Sequence, residues 1–123
     1  MKEWFIPGNV PSSKNSRVWT GRKFIASKAT QQWRKDTKPY WAKYKQEFLD
    51  EIEGLEKPYK ICMRFVRKTR HKFDYINPAQ TIQDEMVHAG WLDDDNCDEM
   101  IPLFDVYSYD KENPGVYITV HKK

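Results

Sequence analysis

Residues 59–95 read YKICMRFVRKTRHKFDYINPAQTIQDEMVHAGWLDDD, and this stretch decides the fold. Its opening, Tyr59 to Arg67, alternates well enough for a β-strand, with Ile61, Met63 and Phe65 on one face. Residues 68–76 form a charged loop. Asn77 is placed to cap a helix, and Pro78 follows at the first helical position, where a missing N–H costs nothing. The helix runs to about Ala89, and Gly90 fits its C-terminal cap. Ala79, Ile82, Met86 and Ala89 recur at helical spacing and make a core stripe. Asn77, Gln80 and Asp84 recur on a different face, so their polar heads can converge. Strand, helix and then an acidic loop from Asp93 to Glu99 follow one another without a linker.

Working outward, Glu3-Trp4-Phe5-Ile6 reads as a short strand ended by the turn signal Pro7-Gly8. A polar loop spans Pro11 to Arg17, and Val18 to Ile25 reads as a hairpin with Gly21 near its tip. Ser27 starts a long helix to about Glu53, its buried stripe formed by Trp33, Tyr40 or Trp41, Tyr44 and Phe48. Pro39, inside it, is predicted to kink or break it, because proline lacks an N–H and clashes with the preceding turn. Downstream, Ile101 to Tyr109 and Val116 to His121 read as two more strands. The prediction is an α+β single domain over residues 1–123, with a mixed sheet and two main helices.

Composition narrows the function classes. The chain has 123 residues, 32% of them charged, and no run approaches the roughly 18 apolar residues of a membrane span. Aromatics at 15% argue against disorder, since they bury enough surface to offset chain entropy. Cys62 and Cys97 stand far apart, which supports neither a disulfide framework nor a cysteine zinc site. With no apolar stretch at the N-terminus, a reducing cytoplasm is the expected compartment. Residues 1–70 hold 17 basic and 7 acidic side chains, whereas 71–123 hold 4 and 11. That asymmetry suggests a polyanion for the basic part; solvated faces of one fold are the plainer alternative.

Chemistry concentrates between Asp74 and Asp95. Asp74 lies before the helix, Asp84 on it, and Asp93, Asp94 and Asp95 directly after it. Close carboxylates repel unless a cation or full solvation offsets them. Mg²⁺ suits such oxygen ligands, and it can polarise a phosphodiester and generate a hydroxide nucleophile. The same run also reads as an exposed acidic turn. An EF-hand is excluded, because Cys97 and Asp98 fall where a ligand and the obligatory glycine belong. His71, His88 and His121 are too scattered for a zinc site. Basic residues flank the acidic segment: Lys14, Arg17 and Lys28 upstream, then Arg67, Lys68, Arg70 and Lys72 leading into Asp74. A basic surface beside metal-holding carboxylates is what phosphodiester cleavage requires. Trp19 and Phe24 are candidates for stacking on unpaired bases or for the core.

Three blocks resemble the RusA family of Holliday junction resolvases, small endonucleases common in phages and prophages. They are Ile6-Pro7-Gly8 with Pro11-Ser12-Ser13-Lys14-Asn15; Ile25-Ala26-Ser27-Lys28-Ala29 with Trp33-Arg34; and Asp74-x-x-Asn77 followed by a helix and Ala89-Gly90-Trp91-Leu92-Asp93-Asp94. The resemblance implies a homodimer and Mg²⁺-dependent nicking of a four-way DNA junction, with Mn²⁺ as a substitute ion. It implies metal carboxylates at Asp74 and Asp94, with Asp93 beside them, and a match of Asn77 to the motif's Asn. Two positions depart from the family pattern: Ile76 stands where a second motif Asp belongs, and Gln80 where the family has a Lys. Either Asp84 supplies a relocated carboxylate, giving a catalytic set of Asp74, Asp84, Asp93 and Asp94, or the fold survives as a non-catalytic module for branched or single-stranded DNA. Asn77 and Gln80 are supporting residues in the first case. The expected DNA contacts are Lys14, Asn15, Arg17, Lys28, Arg67, Lys68, Arg70 and Lys72.

Overall fold

The computed structural model describes residues 2–12, 17–19, 21 and 24–122, with 17–19 and 24–26 described by their backbone alone. Lys14 and Asn15 lie outside the described residues. The elements run β1 (Glu3–Pro7), β2 (Arg17–Trp19), β3 (Phe24–Ala26), α1 (Lys28–Ile52), β4 (Tyr59–Arg67), α2 (Ile76–His88), β5 (Met100–Phe104), β6 (Ser108–Tyr109) and β7 (Gly115–His121). The result is the expected α+β architecture with two helices and a mixed five-stranded sheet.

The main sheet has the order β1-β7-β4-β5, with β6 continuing beside β4. β7 pairs antiparallel with both β1 and β4, while β5 and β6 pair parallel with β4. A parallel pair needs a crossover, and α2 supplies it, making β4-α2-β5 a βαβ unit. β2 and β3 form the separate hairpin expected around Gly21.

Period-two patterning sends Ile61, Met63 and Phe65 of β4 to one face, where all are fully buried. Trp4 and Ile6 of β1 and Val116, Ile118 and Val120 of β7 join them in the core. From α1 come Trp33, Trp41, Phe48 and Ile52; from α2 come Ala79, Ile82 and Met86, with Ala89 half-buried against them. Trp41, rather than Tyr40, carries the α1 stripe.

Pro39 does not break α1, which stays helical from Lys28 to Ile52. An interior proline costs roughly 3 kcal/mol. Burying Trp33, Trp41 and Phe48, which lie on both sides of Pro39, contributes roughly 1.5–3 kcal/mol for each large side chain. The packing outweighs the proline. Ser27 starts the helix, its Oγ accepting from the Thr30 N–H at 3.2 Å.

Two expectations are corrected. Asn77 does not cap α2: the helix starts at Ile76, after Tyr75, which makes no side-chain cap bond. Pro78 therefore sits third in the helix, not first, and is still harmless because the whole first turn lacks N–H partners. The strand expected from Ile101 to Tyr109 is two strands, β5 and β6. Between them the Asp105 carboxylate accepts from the Val106 N–H at 2.8 Å, and the Tyr107 N–H donates to the Tyr75 hydroxyl at 3.1 Å. Side-chain partners replace the ladder there and interrupt the strand.

Candidate functional site

The end of α2 builds the site. Gly90 has φ of +81°, the left-handed conformation that closes a helix. Its N–H donates to the Val87 carbonyl at 3.1 Å, and the Trp91 N–H donates to the Met86 carbonyl at 2.8 Å. This paired closure turns the chain sharply and drives Trp91 into the core. There the Trp91 indole N–H donates to the Trp41 carbonyl at 2.9 Å, and its ring packs against Trp4, Trp41 and Phe48. Everything after Trp91 leaves from a fixed anchor.

The acidic loop is tied down at both ends. Lys57 bridges Glu99 at 2.8 Å and Asp93 at 3.4 Å. The hydrogen bond to Glu99, aided by Asp93, raises the Lys57 pKa above its ordinary value. Asp94 is occupied by its own turn: Oδ1 accepts from the Asp95 N–H at 2.7 Å and Oδ2 from the Asn96 amide at 3.1 Å. Those bonds, the backbone N–H of Asp95 first, hold the Asp94 carboxyl below its ordinary value.

Asp95 is the member of the run that reaches back to α2. Gln80 Nε2 donates to Asp84 Oδ1 at 2.9 Å and to Asp95 Oδ2 at 3.1 Å. Two carboxylates from separate elements thus converge on one atom. The resemblance points to Asp94 as a metal carboxylate, whereas the aspartate that bonds to Gln80 is Asp95. A run of three aspartates contains no signal of which one points back; the turn after Gly90 decides it.

Asp74 stands apart from this pair. Its Oδ2 accepts from the Asn77 amide at 3.4 Å, at the opposite end of the same polar helix face. Seven residues separate Asn77 from Asp84, about 10 Å along the axis, so the Asn77–Asp74 contact and the Gln80-centred pair are separate hydrogen-bonded groups. Among the described residues, no group of three or more His, Cys, Asp or Glu side chains is gathered for a metal. Two carboxylates such as Asp84 and Asp95 are as many as Mg²⁺ commonly takes from a protein, its other positions being filled by water and substrate phosphate. Asp74, Asp93 and Asp94 bond to Asn77, Lys57 and the turn at Asp95 instead of to the Gln80 amide.

Cations and aromatic rings interleave beside Asp74. Arg67 stands over Phe73 at 4.7 Å and donates to the Val10 carbonyl at 3.0 Å; burial lowers its pKa. It fixes the loop after β1 as much as it offers charge. Arg70 stands over the Tyr109 ring at 4.4 Å. Lys68, Arg70 and Lys72 are exposed, as is Lys28 at the start of α1. Phe73 meets Tyr75 and Tyr107 edge-on, and Tyr75 lies near Phe104. Phe104, Tyr107 and Tyr109 all remain open to solvent. Arg17 lies on β2, where only its backbone is described.

No family model matches the chain, and no curated protein matches it, so the case for this site rests on its own geometry.

Proposed function

We propose that this chain is a Mg²⁺-dependent endonuclease that nicks branched DNA, four-way junctions among them, as its RusA-like motifs suggest. The observation that carries the reading is the convergence of Asp84 and Asp95 on the Gln80 amide, at 2.9 and 3.1 Å. Those two carboxylates would hold the ion, Mg²⁺ or Mn²⁺ in its place. Bound there, the ion would supply positive charge against the scissile phosphate. The chain's own residues do the rest. Lys68, Arg70 and Lys72 hold phosphates. The exposed rings of Phe104, Tyr107 and Tyr109 offer stacking faces for bases that a branch point leaves unpaired. Asn77 holds Asp74, and Gln80 positions the carboxylate pair. Paired nicks in opposite strands need two such sites, which a homodimer would provide. A cytoplasmic location is part of this reading, and no helix among the described residues is long and apolar enough to cross a membrane.

The test is a labelled synthetic four-way junction incubated with Mg²⁺ or with EDTA. Mg²⁺-dependent nicks, lost in Asp84→Asn, are the expected result. Their absence in the wild-type protein removes the nuclease.

One observation favours a second reading. Ile76, at the position of a motif carboxylate, is 75% exposed. A large apolar side chain in water at that point suits a module that grips branched or single-stranded DNA without cutting it. Tight junction binding with no nicks under any divalent ion is the outcome that selects it.

A further inference from the structure

α1 and α2 enclose a cleft of about 650 Å³, away from the Arg70–Tyr109 surface. Its floor is small and apolar, made by Trp41, Ala42 and Ala89. Its α1 rim carries Arg34, Lys35, Lys38 and Lys45. The one acid in it, Glu85, is buried and already paired with Arg34 at 2.9 Å. Lys35, Lys38 and Lys45 are exposed, and none makes an ion pair among the described residues. They lie at steps of three and seven residues, one face of α1 over about 15 Å. Lys45 crosses to the end of α2, where its ammonium lies so close to Gly90 that a Cβ there would come within 2.8 Å of it. Three unpaired ammonium groups lined up over one cleft repel one another, and a polyanion offsets that cost.

We propose that this cleft is a track for the phosphate backbone of a single DNA strand, leading to the Asp84–Asp95 pair. His88, on the α2 wall of the cleft, is one helical turn after Asp84 on the same face. A strand laid along the lysines therefore passes His88 and arrives beside the carboxylates. The volume is that of a small-molecule pocket, so it admits part of one strand and excludes a duplex. An acidic protein segment is the lesser fit. It needs an anchor pocket as well as charge, and the floor here is Trp41, itself 2% exposed, flanked by methyl groups. The inference rests on the nucleic-acid reading above and adds a second contact surface to it.

The experiment measures anisotropy of a labelled oligo-dT strand in EDTA, between about 50 and 200 mM salt. The protein is compared with Lys35→Ala/Lys38→Ala/Lys45→Ala and with a Lys43→Ala/Lys111→Ala control outside the cleft. The triple variant is expected to bind about tenfold or more weakly at low salt. Its slope of log affinity against log salt should fall by about 2, three lost contacts at about 0.7 each for a single strand. The control should match wild type, and the triple Lys→Arg variant should restore binding, which separates lost charge from lost fold. Wild-type binding with an unchanged slope in the triple Ala variant overturns the track and leaves the proposed function standing. Competition by polyglutamate as strong as by oligo-dT overturns the choice of nucleic acid as occupant. Wild-type protein that binds no DNA overturns both.

Discussion

The two ends of α2 are built on different principles. The C-terminal end is over-determined: Gly90 closes the helix, Trp91 is buried against three aromatic rings, and Lys57 ties the loop that follows. The N-terminal end has no side-chain cap, an exposed Ile76, and Asp74 held by one long contact from Asn77. The contrast shows where this chain can hold a charged side chain in a defined place. Asp84 and Asp95, set by the closed end of α2 and the anchored loop after it, are the ones that meet on a single group, the Gln80 amide. The Asp74 end lacks the packing that fixes the other end.

Four perturbations break or sharpen that contrast. Trp91→Ala removes the anchor of the C-terminal end. Chemical denaturation should show a loss of about 3–5 kcal/mol, the cost of deleting a large buried aromatic. A loss below about 1 kcal/mol would mean that the acidic loop is held by something else. Gly90→Ala acts at the same end but on the backbone alone. The flexible Lys45 tip can move aside, so the cost is that of a Cβ at φ of +81°, about 1–2 kcal/mol in the same measurement.

Ile76→Asp tests the opposite end. Since Ile76 is 75% exposed, stability should change by no more than about 0.5 kcal/mol. Junction cleavage should stay unchanged, because position 76 lies eight residues before Asp84 on α2, away from the Gln80-centred pair. A rise in cleavage would show that the N-terminal end takes part in the chemistry. The smallest effect is in the turn itself. The folded pKa of Asp94 lies below its ordinary 3.8. Its stabilising bonds are therefore fully present above that pH and are lost as pH falls through the lowered folded value. Carbon-detected NMR titration should find the Asp94 midpoint below that of an unfolded peptide, and an equal midpoint would remove the Asx turn.

Local chemistry made much of this legible in the sequence. Alternation in β4 identified the buried Ile61, Met63 and Phe65, Ser27 marked the start of α1, and Gly90 marked the end of α2. The misses arose where tertiary partners override local preference. Pro39 is tolerated because core packing spans it. Asn77 looked like a cap, yet its amide turns to Asp74. The break between β5 and β6 depends partly on Tyr75, more than thirty residues away in the chain. That Asp95 rather than Asp94 bonds to Gln80 depends on the exit direction after Trp91, and three identical side chains cannot encode it.

The most direct measurement compares Asp95→Asn with Asp94→Asn in Mg²⁺-dependent nicking of a four-way junction, with junction binding followed in EDTA. The account expects Asp95→Asn to lose cleavage by about a hundredfold or more while binding persists, an effect of the size that loss of one electrostatic group at a reacting centre produces. It expects Asp94→Asn to keep most of its activity. Full cleavage by Asp95→Asn, with the loss falling on Asp94→Asn, would contradict the pairing of Asp84 with Asp95.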